Sequence, residues 1–159
     1  MQRHNLEKIV VSVGVGKMRN NAKFDEAVLP AILSDLAAIT GQKPAVRGAK
    51  KSIATFKTRT GDIVGVAVTL RRKRMNDFLS RLVNVALPRV RDFRGINTDS
   101  FDKRGNLSIG LKEQTIFPEI NQEKTPVTFG MQITLVANTK SLEEGRELFT
   151  KLGIPFKKS

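Results

Sequence analysis

The sequence contains no cysteine, tryptophan or tyrosine, and its only histidine is His4. Without cysteine the chain can form neither a disulfide nor a thiolate metal site, and a single histidine excludes a multi-histidine metal site. The longest apolar run, residues 9–15, is interrupted by Ser12 and Gly14 and falls well short of the ~18 residues that span a bilayer. We therefore expect no metal, no cofactor and no membrane contact, and a protein that works in an aqueous, cytoplasmic setting.

Acidic residues are scarce relative to basic ones. The 159 residues include 28 Lys and Arg against 15 Asp and Glu, for a formal net charge of +13. Such an excess opposes compaction through self-repulsion, so a polyanionic partner is its natural explanation. Hydrophobic residues make up 40% of the chain, enough for the core of a single domain. Aromatic residues make up only 6%, all of them Phe, which favours recognition of a folded nucleic acid by shape and backbone over stacking of single-stranded bases.

The positive charge is concentrated in residues 47–74. Nine basic residues and a single acidic one, Asp62, give this segment a net charge of +8. The nine are Arg47, Lys50, Lys51, Lys57, Arg59, Arg71, Arg72, Lys73 and Arg74. If about six of them reach phosphates, counterion release predicts a slope of log affinity against log salt of roughly −4 to −5. The alternative is a solvated basic surface without a ligand.

Hydrophobic patterning predicts an α+β fold in one domain, with no internal repeat and no linker that would divide the chain. Apolar alternation predicts strands at residues 7–15, 62–70, 106–111 and 132–137, with possible short strands in 45–60. Helical spacing predicts helices within residues 20–40, at 72–87 and after residue 141. The strands are mostly separated by helices or long loops.

Two of the predicted helices carry further signals. Pro30 lacks a backbone donor, so the first helix must begin near it or kink there. Ser141 and Glu144 form a capping-box signature at the start of the last helix. We expect this last helix to bury Leu142, Leu148, Phe149 and Leu152, while Phe78 and Phe129 are also expected in the core.

One face of the predicted strand at residues 62–70 carries small side chains. Gly65, Ala67 and Thr69 share a phase, and Arg71 follows in the same phase. Such a face lets ribose and phosphate approach the sheet, where Thr69 and Arg71 supply hydrogen-bond donors. The alternative is that small residues make room for a helix packed above them, and the sequence alone leaves both open.

Two patterns typical of enzymes are present only in weak form. Gly14-Val15-Gly16-Lys17 follows a strand, but a Walker loop needs Ser or Thr where Met18 stands, and a dinucleotide fingerprint needs a glycine where Arg19 stands. Five scattered carboxylates favour surface ion pairs over an acid–base pair. They are Asp99, Asp102, Glu113, Glu119 and Glu123. A nucleotide-binding enzyme and an architectural DNA-binding protein remain the alternatives, and no catalytic residue is assigned.

Several longer sequence motifs are more specific than composition or charge. The order along the chain is Gly41-Gln-Lys-Pro44, Val68-Thr-Leu-Arg71, Pro88-Arg-Val-Arg-Asp-Phe-Arg-Gly95, Phe101-Asp-Lys-Arg-Gly-Asn-Leu-Ser-Ile-Gly110, Glu113-Gln114 and Ile116-Phe-Pro-Glu-Ile120. These strings strongly resemble the bacterial-type family of universal large-subunit ribosomal protein five, which binds 5S rRNA. The resemblance extends over about residues 1–158.

This resemblance implies a structural, non-enzymatic protein of the cytoplasmic large ribosomal subunit. It implies one domain across residues 1–159. The expected architecture is a mainly antiparallel sheet with helices on one face and RNA on the other. The implied partners are 5S rRNA, 23S rRNA in the central protuberance, peptidyl-site tRNA and neighbouring ribosomal proteins. One of these is a small-subunit head protein at an intersubunit bridge, and residues 94–119 resemble the part of the family that faces it.

The resemblance also assigns roles to individual residues. Ser12, Gln42, Thr69 and Arg71 correspond to 5S rRNA contacts, although Ser12 stands where the family has an asparagine that reaches further. The basic loop at about residues 50–61 corresponds to the segment that touches tRNA, with Lys50, Lys51, Phe56, Lys57 and Arg59 as its candidates. Charge adds Arg47, Arg72, Lys73 and Arg74 as further RNA contacts. The family has another helix before the point where this chain starts, so we expect a shortened start or an incomplete sequence.

Overall fold

The computed structural model describes residues 4–16, 18, 22–48 and 63–157. Its centre is a five-stranded sheet in which every neighbouring pair is antiparallel. The strands are β1 (Leu6–Gly14), β2 (Ala45–Gly48), β3 (Ile63–Leu70), β4 (Leu107–Leu111) and β5 (Met131–Ala137). Their order is β2-β3-β1-β5-β4, so the first strand of the chain lies in the middle. The four predicted strands are confirmed, and β2 lies in the segment where short strands were expected.

Three α-helices lie between and after the strands in the described ranges. They are α1 (Leu29–Thr40), α2 (Arg72–Arg81) and α3 (Leu142–Lys151). A π-helical turn, Phe24–Val28, leads into α1, and α2 continues through a second one, Leu82–Ala86, and a 3-10 turn, Leu87–Arg89. None of these helices combines the length and the apolar character that crossing a membrane requires.

Pro30 stands in the first turn of α1, which confirms that the helix begins beside it. A proline fits this position because the N–H groups of a first turn have no partner within the helix. Just upstream, the Leu29 N–H donates to the Phe24 carbonyl, five residues back, so the chain enters the helix through a wider turn. At the other end Gly41 adopts a φ of 75°, the left-handed conformation predicted for a C-cap.

The helices pack on one face of the sheet. Alternate residues of the strands point toward them and are buried, and Ile32, Leu36, Phe78 and Leu82 are fully buried on the helical side. The buried strand residues include Ile9, Val11, Val13, Val66, Val68, Leu70, Ile109, Ile133 and Leu135. Phe129 and Phe149 are buried as predicted. The fold therefore has one apolar layer, which leaves the opposite face of the sheet for other contacts.

The start of α3 is capped as predicted, with one difference. Ser141 Oγ accepts a hydrogen bond from the Glu144 N–H at 3.3 Å. Glu144 Oε2 accepts from the Lys140 N–H at 2.8 Å, so the carboxylate bonds the residue before the N-cap instead of the N-cap itself. Both side chains satisfy backbone donors at the helix start.

Two leucines that were expected in the core lie at the surface instead. The exposed fraction of the residue surface is 40% for Leu142 and 36% for Leu152, whereas Leu148 and Phe149 are buried. Leu142 is the first residue of α3 and Leu152 follows its last, so neither is enclosed by a helical turn on both sides. Helical spacing identified the correct side chains only within the body of the helix.

A tight loop at residues 102–106 packs directly on α3. A Cβ added to Gly145 would lie 2.5 Å from Gly105 Cα, and one added to Gly105 would lie 2.5 Å from Ser141 O. Gly105 also has a φ of 88°, which side chains with a Cβ rarely adopt. Glycine at both positions allows the two backbones to touch and anchors the loop on the helix.

Candidate nucleic-acid interface

The face of the sheet opposite the helices carries mainly small and polar side chains. Four rows cross the strands in register, and together they define the open sheet face. The rows are Arg47, Gly65 and Gly14; Ala45, Ala67, Ser12, Gln132 and Gly110; Thr69, Val10, Thr134 and Ser108; and Lys8 with Val136. All of these residues are exposed or half-buried, and no helix of the described residues packs over them. The helices therefore do not account for the small residues of β3.

The small side chains leave room above the sheet. A shallow depression of about 370 Å³ lies over β1, β5 and β4, lined by Ser12, Ser108, Gln132 and several glycines. A Cβ added to Gly14 or Gly110 would meet no described atom within 4 Å. A ribose–phosphate backbone can therefore come close to the main chain here, within reach of hydroxyl and amide groups.

Gln42 joins the end of β3 to the start of α2. Its Nε2 donates to the Thr69 carbonyl at 3.0 Å, and its Oε1 accepts from Arg74 Nη1 at 3.2 Å. The left-handed turn at Gly41 directs the chain from α1 toward these partners. Gln42 thus contacts both Thr69 and Arg74, and the sequence analysis had named all three as RNA contacts. The amide of Gln42 has two N–H donors, and among the described residues only one bond from it is formed, so the other donor can serve a ligand.

Four cations occupy the start of α2. Arg71 is the N-cap residue, and Arg72, Lys73 and Arg74 fill the first turn, all of them exposed. The first turn holds no acidic residue and no side chain caps it, although positive charge opposes the helix dipole there. Arg72 also has a φ of 56°, a left-handed conformation that costs a non-glycine residue roughly 1–3 kcal/mol. An anion bound at this end would offset the unpaired N–H groups and the clustered charge.

Three of the four predicted 5S rRNA contacts share one surface, and Gln42 bonds the main chain at its edge. Ser12 lies near the centre of the open sheet face, next to Ala67 on one side and Gln132 on the other. Thr69 lies on the same face, and Arg71 follows it in an extended conformation. Arg47 lies beside Gly65 on the edge strand β2. The remaining cations stand at the rim of this face, where α2 begins.

The basic loop falls outside the described residues. This concerns Lys50, Lys51, Phe56, Lys57 and Arg59, together with Lys17 of the glycine pattern. Their predicted roles therefore stay predictions.

The 102–106 loop is held by the carboxylate of Asp102. Its Oδ1 accepts from the N–H groups of Arg104 and Asn106, each at 2.9 Å, and its Oδ2 accepts from Asn106 Nδ2 at 2.9 Å. Burial raises the pKa of Asp102, but these hydrogen bonds and one from Gly105 outweigh it and place the pKa below its ordinary value of 3.8. These bonds fix the path of the loop, in which Lys103 and Arg104 are exposed to solvent.

Two of the five carboxylates considered for an enzyme have other roles in the structure. Glu119 forms an ion pair with Arg81 at 2.8 Å, and Asp102 holds its loop. Gly14 ends β1 on the open sheet face, and the residues after it lack the Ser or Thr of a Walker loop and the third glycine of a dinucleotide fingerprint. The described part of the chain brings together no group of three or more His, Asp or Glu that could hold a metal ion.

Sequence reasoning missed Lys8 and the β5 part of the open sheet face. Lys8 pairs with Val136 and lies on the same face as Val10 and Ser12. The period of two along β1 was a usable signal, since Lys8 and Ser12 are an even number of residues apart. A lone lysine forms no cluster in the sequence, however, and the placement of β5 beside β1 cannot be read from local patterns.

Comparison with known proteins gives matches over nearly the whole chain. A family model described as ribosomal protein L5 matches residues 1–59, and one that describes the C-terminus of the same ribosomal family matches residues 63–156. The chain is 53% identical to large ribosomal subunit protein uL5 of Fusobacterium nucleatum over 158 residues, which are 99% of this chain and 84% of that protein. It is 52% identical to the proteins of the same name from Macrococcus caseolyticus and Desulfatibacillum aliphaticivorans, covering 99% of this chain and 86% of each.

Proposed function

The chain belongs to the ribosomal protein L5 family, and from this we propose that it holds 5S rRNA on the open sheet face. The family identifies a structural, non-enzymatic constituent of the large ribosomal subunit, which places the chain in the cytoplasmic ribosome. The finer proposal is that charge and shape, contributed by named residues of the sheet and of α2, select a folded RNA.

One observation carries this proposal: an uncovered sheet face of small and hydroxyl side chains ends in a cluster of cations. Thr69 and Ser12 can exchange hydrogen bonds with ribose 2′-hydroxyls, and Arg71 and Arg47 can neutralise phosphates beside them. A broad, shallow surface fits the wide, shallow minor groove of an RNA helix, whereas the minor groove of DNA is narrow. The geometry therefore favours RNA over the alternative of a DNA-binding protein.

The start of α2 supports the same proposal from electrostatics. Arg71 to Arg74 accumulate charge where the helix dipole is already positive, and the first turn holds no acidic side chain to balance it. Gln42 orients one of these cations, Arg74, toward the end of β3. A phosphate placed here would receive backbone and side-chain donors together.

Further parts of the proposal come from the family resemblance. The chain is expected to contact 23S rRNA in the central protuberance and to touch peptidyl-site tRNA with the loop at about residues 50–61. Residues 94–119 are expected to face a small-subunit head protein at an intersubunit bridge. The anchored 102–106 loop lies within this last region, and its exposed Lys103 and Arg104 are available for contacts.

A binding experiment with 5S rRNA tests the proposal. The full chain is titrated with 5S rRNA, tRNA, a random RNA and duplex DNA over a salt series. We expect tightest binding to 5S rRNA, with a slope of log affinity against log salt of roughly −4 to −5. Thr69→Val removes a hydroxyl at constant shape, and Arg71→Gln removes a charge, so both should weaken binding. Lys124→Gln changes an exposed lysine in the turn at residues 121–124 and serves as the control. The next residue, Thr125, bonds Asp35 of α1, which lies on the helical side of the sheet.

Equal affinity for all the nucleic acids would contradict the proposal. So would a loss for Lys124→Gln as large as that for Arg71→Gln, since charge alone would then explain binding.

The tRNA role is tested separately with Arg59→Glu. We expect 5S rRNA affinity to stay nearly unchanged, because the loop is assigned to a different partner, while tRNA positioning on reconstituted ribosomes is impaired. The measurement is peptidyl-site tRNA affinity beside 5S rRNA affinity for the same variant. If 5S rRNA affinity falls as much as for Thr69→Val and Arg71→Gln, this division of roles is wrong.

A further inference from the structure

The register of the sheet places Lys8 opposite Arg71. The last pair between β1 and β3 is Ile9 with Leu70. Arg71 continues in an extended conformation, with φ of −135° and ψ of 156°, so the next antiparallel position brings it beside Lys8. On its other side Lys8 pairs with Val136 of β5. Both cations therefore belong to the same end of the open sheet face.

Nothing on the described part of the protein neutralises this pair. No carboxylate of the described residues lies within 4.0 Å of the Lys8 or Arg71 nitrogen atoms. The residues that share their rows are uncharged: Val136 beside Lys8, and Val10 and Thr69 in the next row. Like charges directly opposite one another on neighbouring strands are destabilising. The arrangement is thus unfavourable in the free protein and becomes favourable when an anion lies between the two side chains.

We propose that Lys8 is a further phosphate-binding residue, which together with Arg71 holds a phosphate of the RNA backbone where it crosses from β3 to β1. This inference rests on the proposed function, because it assumes that RNA occupies the open sheet face. It extends the charged part of the contact surface to β1, beyond the basic segment at residues 47–74. Neighbouring strands lie ~4.8 Å apart, so one phosphate can be reached from both side chains.

The test compares Lys8→Gln, Arg71→Gln, the double variant and Lys124→Gln, each as the full chain with 5S rRNA over a salt series. Each phosphate contact contributes about 0.9 to the salt slope, which corresponds to roughly an eightfold change in affinity at about 0.1 M salt. We expect Lys8→Gln to lose affinity by this factor and to lower the slope by about 0.9. Lys8→Arg should keep most of the affinity, because it keeps the charge. A shared phosphate predicts that the double variant loses less than the product of the two single losses.

Stability of the free protein separates a binding role from a structural one. Removing one of two opposed like charges should leave the urea midpoint unchanged or raise it, so a lower affinity together with an undiminished midpoint supports the proposal. An affinity loss that merely follows a lowered midpoint overturns it.

The possible failures are distinguishable. If Arg71→Gln and Lys8→Gln both bind like wild type, the open sheet face is not the RNA site and the proposed function itself fails. If Arg71→Gln weakens binding and Lys8→Gln behaves like the Lys124→Gln control, only the inference about Lys8 is wrong. A loss for Lys8→Gln alone would overturn the shared contact with Arg71.

Discussion

We predict that replacing Gly145 by alanine lowers the free energy of unfolding, although helix propensity alone predicts that it would rise. An alanine in the interior of a helix is normally more stable than glycine by about 1 kcal/mol. In this structure the new Cβ would lie 2.5 Å from Gly105 Cα and would collide with the Gly105 carbonyl. Both are backbone atoms, so no side-chain rotation relieves the clash.

The magnitude follows from the movement required. Carbon atoms need roughly 3.5 Å, so the 102–106 loop must retreat from α3 by about 1 Å. That movement strains two hydrogen bonds, from Thr139 Oγ1 to the Arg104 carbonyl and from the Ala137 N–H to Asn106 Oδ1. Overpacking costs about 1–3 kcal/mol and each bond about 1 kcal/mol. After the gain in propensity is subtracted, the net loss is about 2–4 kcal/mol, a fall in Tm of roughly 4–16 °C for a chain of this length.

Urea and thermal unfolding measure this prediction directly. The matched control is Gly110→Ala, because a Cβ added there meets no described atom within 4 Å. We expect that control to stay within about 0.5 kcal/mol of wild type, as ordinary surface substitutions do. A Gly145→Ala variant as stable as wild type, or more stable, would refute the close packing of loop and helix.

Two further substitutions test polar side chains that hold loop segments in place. Asp102 has a lowered pKa in the folded state, so its contribution is present above the unfolded value and is lost as the pH falls below about 3.8. Asp102→Asn should therefore lower the urea midpoint at pH 7 by more than at pH 3, and a gap that stays constant with pH speaks against this. Gln114 is fully buried, donating to the Val127 carbonyl at 2.6 Å and accepting from the Phe129 N–H at 3.0 Å. Gln114→Leu leaves the buried Phe129 N–H without this partner and leaves the Val127 carbonyl only the bond from Thr125 Oγ1, so it should cost about 2–4 kcal/mol in urea unfolding. A cost under about 1 kcal/mol would show that the Gln114 bonds are not needed.

The elements of the fold were predictable because their signals are local. Alternating valines in β3 specify a strand with one buried face, and the spacing of Ile32, Leu36 and Ile39 specifies a helix with a buried stripe. The order of the strands was not predictable in this way. Nothing near Ser12 in the sequence indicates that β1 lies between β3 and β5, because that pairing depends on contacts between distant parts of the chain.

The candidate site was likewise predicted only where its signals are local in the sequence. Dense charge marked Arg71 to Arg74, and the phase of β3 marked Thr69 as part of the same surface. Lys8 was missed because its significance depends on the residue opposite it in the sheet. The contact between Gly105 and Gly145 was missed for the same reason, since a glycine that permits close approach looks like any other in the sequence.

The central position of β1 determines when, during synthesis, the sheet can be completed. Asn5, just before β1, bonds to Asn138, just after β5, across 133 positions of the chain. During synthesis the earliest strand must wait for both of its neighbours, and β4 can join only through β5. A nascent polypeptide therefore has no complete sheet until β5 has emerged, so the RNA binding that we propose for the open sheet face requires synthesis to have passed Ala137.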